Sequence, residues 1–132
     1  GKDFGSILQG KVLMDCSNPS PRRDGDMAEA ARQKGSGVAT AEYIPGARVV
    51  RAFGRINFKL ALENAHRPGD KLAIPIAGDD ADAVRTASNL VIDAGFEPVM
   101  VAGLARSNDF DYGGPGSGKN TTAAELRKLL NL

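Results

Sequence analysis

Four short apolar runs alternate with stretches in which apolar residues recur every three or four positions. The runs are residues 11–16, 47–53, 71–78 and 98–103. Nearly continuous apolar runs of this length, bounded by turn residues, are typical of strands buried on both faces. In the third run, Pro75 cannot donate a ladder hydrogen bond, which predicts an edge or irregular position.

The helical spacing is clearest in residues 79–95, which Asp79 or Asp80 can cap and Gly95 can end. The apolar residues that share one face of this helix are Ala81, Val84, Ala87, Val91 and Ala94. This segment is therefore the strongest helix prediction in the chain.

Shorter helices are predicted on both sides of it. Asp26 and Glu29 have the spacing of a capping box, which predicts a helix ending near Gly35. A second short helix is predicted between Gly37 and Ile44.

Residues 55–65 fit both a strand-like alternation and a helical spacing, and the flanking segments favour the helix. Thr122 and Glu125 have the spacing of another capping box, before an apolar stripe that ends at Leu130. Strands that alternate with helices predict an α/β fold of about four strands with flanking helices. In this class, ligands usually bind beyond the carboxyl ends of the strands.

Composition narrows the class of protein. The chain has 132 residues, of which 42% are apolar and 25% charged, as in a globular domain. A net charge of +1 gives no electrostatic reason to expect nucleic acid or an acidic membrane as a partner. A single cysteine, Cys16, and a single histidine, His66, leave no disulfide and no multi-cysteine zinc site. No run approaches the ~20 apolar residues that a membrane span needs, so a cytoplasmic location is expected.

Residues 113–121 contain the GxxxxGK core of a phosphate-binding loop, with Lys119 as its lysine. The string resembles the loop of adenylate-kinase-like phosphotransferases. However, a polar, acidic stretch precedes it where a buried strand is required, and few residues follow it. This context favours a flexible Gly-rich surface loop leading into a terminal helix, with a phosphotransferase using Lys119 as an alternative.

Other reactive residue types have ordinary structural explanations. Cys16 has no basic neighbour, which favours a small buried residue over a nucleophile. His66 is predicted to end a helix or occupy a solvated turn. The acidic residues Asp79, Asp80 and Asp82 are typical of a first helical turn rather than a cation site.

In order and spacing, the segments resemble the NADP-dependent oxidoreductases related to coenzyme F420:NADP reductase. The matching segments are residues 10–19, 41–53, 76–83 and 90–99. The resemblance implies that residues 1–104 are the second half of a Rossmann-like NAD(P)-binding domain and that residues 105–132 form a Gly-rich loop and a C-terminal helix. It also implies that the chain is a fragment, without the N-terminal unit that carries the glycine fingerprint.

The same resemblance implies two groups of site residues. Asn18 and Pro19 match a turn that lines the nicotinamide side of the cleft, and Phe53 matches an aromatic residue of the second turn. Gly54 stands where the family has asparagine. The substrate-binding residues implied near a flavin-like acceptor are Gly103 and Leu104.

The implied activity is hydride transfer between the nicotinamide of NADP(H) and a flavin-like or other small-molecule acceptor. Because the cofactor carries this chemistry, the protein needs no catalytic acid or base, and none is assigned. A second alternative is a non-catalytic α/β module that associates through an exposed sheet edge. In either case residues 11–16 form a strand suited to the middle of a larger sheet, which predicts a homodimer or strand exchange.

Overall fold

The computed structural model describes residues 4–54 and 56–132. Its strands are β1 (Val12–Asp15), β2 (Arg48–Arg51), β3 (Ala73–Gly78) and β4 (Glu97–Ala102). Its helices are α1 (Gly5–Leu8), α2 (Pro21–Asp24), α3 (Asp26–Lys34), α4 (Ser36–Tyr43), α5 (Phe58–Asn64), α6 (Ala81–Asp93) and α7 (Ala123–Leu130), with a 3₁₀ helix over Leu104–Asp109. The predicted α/β class with a four-stranded sheet is confirmed.

The strands lie in the order β1-β2-β3-β4, and their directions divide the sheet into two halves. β1 and β2 are parallel to each other, as are β3 and β4, whereas β2 and β3 are antiparallel. The carboxyl ends of β1 and β2 therefore lie at one end of the sheet, called here the β2 end. Those of β3 and β4 lie at the opposite end, called the β4 end. As a result, the loops that follow the four strands do not all meet at one place.

Helices cover both faces of the sheet. Ile74 and Ile76 of β3 point into a core that includes the apolar face of α6, while Ala73 and Ala77 point into a second core with α7. This alternation follows from the two-residue period of a strand. Both faces are apolar because both are covered, as the continuous apolar runs predicted. The division of the chain at residue 104 stays a prediction.

Pro75 lies in the part of β3 that does not pair with β2. The two strands pair only at Val50 with Gly78 and at Arg51 with Ala77. Farther back along β3, the Ala73 N–H donates to the Thr121 carbonyl oxygen at 2.8 Å. Because alternate residues of a strand direct their backbone groups to the same side, the Pro75 nitrogen faces the gap between these contacts. β3 is internal in the sheet order, yet its proline sits at a locally open side, where no donor is needed.

The helix starts confirm most of the capping predictions. Asp80 accepts a hydrogen bond from the Ala83 N–H at 2.8 Å and caps α6. Both bonds of the Thr122–Glu125 capping box are present at the start of α7. Two other helix predictions are confirmed: α4 between Gly37 and Ile44, and a helix within residues 55–65, where α5 forms; Arg55 lies outside the described residues.

The capping box predicted at Asp26 is wrong. Asp26 is the first residue of α3, and its side chain makes no cap bond. Gly25, with φ of 59°, ends α2 and at once begins α3, so no position remains for an aspartate cap. The end of α3 is as predicted, since Gly35 follows its last residue.

Candidate functional site

The ends of β1 and β2 are tied together through one backbone carbonyl. The Asp15 carbonyl oxygen accepts from the Ala52 N–H and from Arg51 Nη1, each at 3.1 Å. The turns that follow the two strands therefore start side by side at the β2 end. The predicted cofactor-binding residues in these turns are Asn18, Pro19, Phe53 and Gly54.

Beneath the two turns lies a buried charge cluster centred on Arg51, which is 0% exposed. Its Nε and Nη2 atoms donate to Asp111 Oδ1 at 2.9 and 2.6 Å, and its Nη1 lies 3.4 Å from Asp15 Oδ2. The second Asp111 oxygen accepts from the Ser36 N–H, and Asp15 Oδ2 accepts from the Thr40 hydroxyl, both at 2.9 Å. One guanidinium thus joins β1, β2, α4 and the segment after the 3₁₀ helix.

This cluster explains why residue 54 is glycine. A Cβ at Gly54 would lie 1.8 Å from Arg51 Nη2. The Arg51 guanidinium, which two aspartates hold in place, occupies the space that a side chain at position 54 would need. The glycine at position 54 is therefore explained by the arginine three residues earlier.

Phe53 adopts a backbone conformation that costs energy in a non-glycine residue. Its φ is 58°, in the left-handed region. Its ring packs edge-to-face on Phe96, with centroids 5.6 Å apart, and it contacts the core beside α6. Strain of this kind persists only where the surroundings fix the chain, and it is concentrated at functional sites.

The Asn18 turn is more open. Asn18 is exposed, and its carbonyl oxygen accepts from Arg23 Nη2 at 3.0 Å. Pro19 lines a mainly apolar pocket of about 160 Å³ that lies between the turn and the helices α3 and α4, and Met27 and Tyr43 also line it. The turn therefore presents one polar side chain to solvent and one apolar ring to a pocket.

Phe53 and Gly54 line a different space, a crevice between the end of β2 and the open side of β3. Its volume out to solvent is about 350 Å³. Other lining residues are Pro75, Phe110, Lys119 and Thr121. Crevices where neighbouring strands diverge are the usual ligand sites of open α/β sheets.

Gly103 and Leu104 follow β4, and neither of them lines the crevice that Phe53 and Gly54 border. The Leu104 N–H donates to Asp79 Oδ1 at 3.0 Å, and Leu104 is 6% exposed, packed near Gly37 of α4. The structure does not bring these two residues to the cleft formed by Phe53 and Gly54. Antiparallel pairing of β2 and β3 is the physical reason.

The segment 113–119 does not form a phosphate cradle. No strand leads into it, and the N–H groups of Gly114, Gly116 and Ser117 donate to carbonyl oxygens of Asp111, Asp109 and Gly114. Donors used in this way cannot converge on a phosphate. Gly116 is buried, so the loop is packed on the molecule rather than projecting from it.

Cys16 is exposed, so the prediction that it is buried is wrong. The strand ends at Asp15, one residue earlier than a buried cysteine would require. Partial enclosure of the thiol raises the pKa of Cys16, and the neighbouring Asp15 carboxylate raises it further. A raised thiol pKa disfavours the thiolate, which agrees with the expectation that Cys16 is not a nucleophile.

The remaining candidates have structural roles. His66 follows α5 in an exposed turn, as predicted, and its backbone N–H donates to the Gly95 carbonyl oxygen. Asp79 and Asp80 accept the bonds described above, and Asp82 pairs with Arg85. Within residues 4–54 and 56–132, no three His, Cys, Asp or Glu side chains are grouped so that they could hold a metal ion. No helix in those ranges is long and apolar enough to cross a bilayer.

Sequence reasoning missed the Arg51 cluster. The available signal was an arginine inside an otherwise apolar strand, where a buried charge requires a partner. Its partner Asp111 lies 60 residues farther along the chain, in the acidic stretch before the Gly-rich segment.

Two of the known proteins to which the chain is similar are named as reductases. The chain is 29% identical over 104 residues to the metalloreductase STEAP3 of Rattus norvegicus, covering 79% of this chain and 20% of that protein. A proposed F420-dependent NADP reductase from Arthrobacter sp. FB24 superposes with a TM-score of 0.67 at 20% identity, over 80% of this chain and 50% of that one. The expected resemblance is confirmed. The chain shares the Rossmann-like fold of these reductases over part of their length.

A hypothetical protein, SMa0349 from Sinorhizobium meliloti, has the same fold. It gives a TM-score of 0.70 at 24% identity, over 92% of this chain and 62% of that one. No family model matches the chain. In each comparison the chain spans less than two thirds of the other protein.

Proposed function

We propose that this chain is part of an NADP(H)-dependent oxidoreductase and that it supplies the nicotinamide side of the cofactor cleft. Asn18 and Pro19 would contact one side of the ring, and Phe53 and Gly54 the other. The observation that supports this most strongly is the shared Asp15 carbonyl, which brings the two turns together at the β2 end. The similar structure that is named as an F420-dependent NADP reductase supports the choice of cofactor.

When bound, the nicotinamide supplies the hydride chemistry, so the protein has to fix its distance and exposed face. The strained Phe53 backbone and the buried Arg51 cluster keep the second turn rigid. The Asn18 amide can hydrogen-bond a carboxamide, and the Pro19 ring gives an apolar contact. None of these residues has to transfer a proton.

The acceptor is proposed to be flavin-like or another small molecule. Gly103 and Leu104 remain the predicted substrate-binding residues. Leu104 is buried, so any effect it has on the acceptor would be indirect, through the position of Gly103 and Asp79. A cytoplasmic location remains part of the proposal.

We further propose that the pyrophosphate of NADP(H) is held outside this chain, which matches only part of each relative's length. The 132-residue chain alone should then recognise the nicotinamide end of the cofactor and not the adenosine end. Under this proposal, binding by the 132-residue chain alone should be weak, because the phosphate contacts would lie outside it.

This can be tested by following amide resonances of the chain during titration with nicotinamide mononucleotide, NADP⁺ and adenosine 2′,5′-bisphosphate. The first two should shift residues 17–20 and 52–54 with similar affinity, and the third should shift neither turn. Asn18→Ala should weaken the shifts several-fold, whereas Asn89→Ala, an exposed asparagine on α6, should leave them unchanged. Shifts caused by the bisphosphate alone would overturn the proposal.

Association through β1 is a second proposal, which one observation favours. β1 is at the edge of the sheet, with β2 as its neighbour among the described residues. Its other side offers unpaired backbone groups to a second copy or another chain. Sedimentation should show a dimer that Leu13→Pro converts to a monomer, and a wild-type monomer at high concentration would contradict this.

A further inference from the structure

The crevice between β2 and β3 contains a cation that none of the preceding functions uses. Lys119 lines it and pairs with no carboxylate in the described parts of the chain. Other basic side chains nearby are engaged: Arg51 with Asp111, and Arg106 with Asp109. Lys119 is exposed, so its ammonium group is available to a ligand entering from solvent.

A second polar group in the same crevice lacks a partner. The Thr121 hydroxyl oxygen is buried and makes no hydrogen bond to any described residue. The Thr121 carbonyl already accepts from the Ala73 N–H, so the buried hydroxyl is the polar group of this residue that lacks a partner. A buried hydroxyl without a partner costs free energy, and a ligand oxygen could recover it.

The opposite walls are apolar. Phe53 and Phe110 contribute rings, and Pro75 contributes a ring in place of a backbone donor. The crevice leaves about 20 Å³ for the centres of water-sized groups, and its space is about 350 Å³ when the open solvent at its mouth is included. The inner space therefore admits one small oxygen-bearing group, comparable to a water molecule, and the apolar part of a ligand would lie at the open mouth.

We propose that this crevice binds a small aromatic or aliphatic carboxylic acid, with the carboxylate between Lys119 and Thr121 and its apolar part against Phe53. A phosphate group fits less well, because it is bulkier and the loop N–H groups that would hold it already donate to carbonyls. The ammonium pairs with one carboxylate oxygen, and the threonine hydroxyl donates to the other.

If the proposed function is correct, the acid is the electron acceptor or an acidic substituent of it, because Phe53 and Gly54 border both the crevice and the nicotinamide side. That assignment rests on the proposed function. Binding of a carboxylate to the crevice does not.

The test uses benzoate as the probe and benzamide, its neutral counterpart, as the matched control ligand. Benzoate should saturably shift the amide resonances of Gly54, Gly116, Gly118 and Thr121 in the 132-residue chain. We expect benzamide to bind about tenfold more weakly, since it lacks the charge that pairs with the ammonium.

Variants then identify the groups responsible. Lys119→Met should weaken benzoate binding about tenfold, and Thr121→Val by a smaller factor. Lys128→Met, at an exposed lysine of α7, should leave it unchanged. Unaltered spectra of the variants away from the crevice would show that they fold.

Three results with benzoate and benzamide would overturn the proposal. These are no saturable shift at the crevice, equal binding of benzoate and benzamide, and equal binding by wild type and Lys119→Met. Displacement of benzoate by inorganic phosphate at equal concentration would also overturn it and indicate a phosphate site. Failure of nicotinamide mononucleotide to bind, with benzoate binding intact, would remove the proposed function while keeping the crevice.

Discussion

Each end of β2 has an arginine that pairs with an aspartate, and the two pairs lie in different surroundings. At the β4 end, Arg48 meets Asp80 at 2.6 Å, with the two side chains 34% and 43% exposed. At the β2 end, Arg51 meets Asp111 at the same distance, with the two side chains 0% and 8% exposed. The distances are equal, but water screens the first pair and is excluded from the second. The buried pair therefore holds the chain in one conformation, whereas the exposed pair contributes little to stability.

The same contrast applies to the glycines that follow the strands. Gly54 lies against the fixed guanidinium of Arg51, and Gly103 lies against the exposed carboxylate of Asp79. The rigid end is also the end where the cofactor turns meet. A site that sets the distance and face of a reactive ring benefits from such rigidity.

The largest expected effect comes from replacing each arginine of β2 with methionine. Arg51→Met leaves two buried aspartates without their cation, so we expect the free energy of unfolding to fall by about 3–5 kcal/mol. Arg48→Met removes a solvent-screened pair and should leave stability close to that of the wild type. Urea unfolding of both variants measures the difference. Similar losses for both would show that burial does not separate the two pairs.

A smaller effect is expected from replacing the glycine that follows β2 or the glycine that follows β4 with alanine. Gly54→Ala must displace the Arg51 guanidinium from its aspartates, which should cost about 1–3 kcal/mol. Gly103→Ala, with its Cβ 2.5 Å from Asp79 Oδ1, should cost less, because that exposed carboxylate can turn aside. Thermal unfolding gives the ranking, and a larger loss for Gly103→Ala would contradict the comparison.

The smallest effect is a pH dependence at the β4 end. The Arg48 guanidinium, followed by the Ala83 N–H, lowers the pKa of Asp80 from its usual 3.8 to about 2. A lowered pKa in the folded state stabilises the protein above pH 3.8, and this contribution is lost as the pH falls towards 2. Asp80→Asn should therefore lower the melting temperature slightly at pH 5, and its difference from wild type should shrink by pH 2. A difference in melting temperature that grows on acidification would contradict this prediction.

The sequence predicted those features that depend on local spacing. Neighbouring residues determine the helical period of α6, the capping box at Thr122 and the four apolar runs. The structure contains the helix, the capping box and four strands at these places. Local spacing does not reveal the direction of a strand, so the antiparallel pairing of β2 and β3 was not foreseen. Local spacing likewise does not show at which end of the sheet Gly103 and Leu104 lie, and their binding of an acceptor stays a prediction.

Long-range charge pairing was equally hidden. The strand pattern places Arg51 among buried residues, but nothing near it in the chain identifies Asp111 or Asp15 as its partners. The sequence shows a glycine at position 54, but the reason for it depends on where the fold places the Arg51 guanidinium. Similarly, Lys119 was recognised as part of a phosphate motif, and only the folded chain places it in a crevice with Phe53.

Pro75 has a consequence for how the molecule behaves towards other chains. An open flank of a β-strand normally invites another polypeptide to add itself by backbone pairing, which leads to aggregation. A proline ring at the centre of that flank interrupts the row of donors that such an intruder would need. The opening can thus stay accessible to small solutes while resisting closure by a stray peptide.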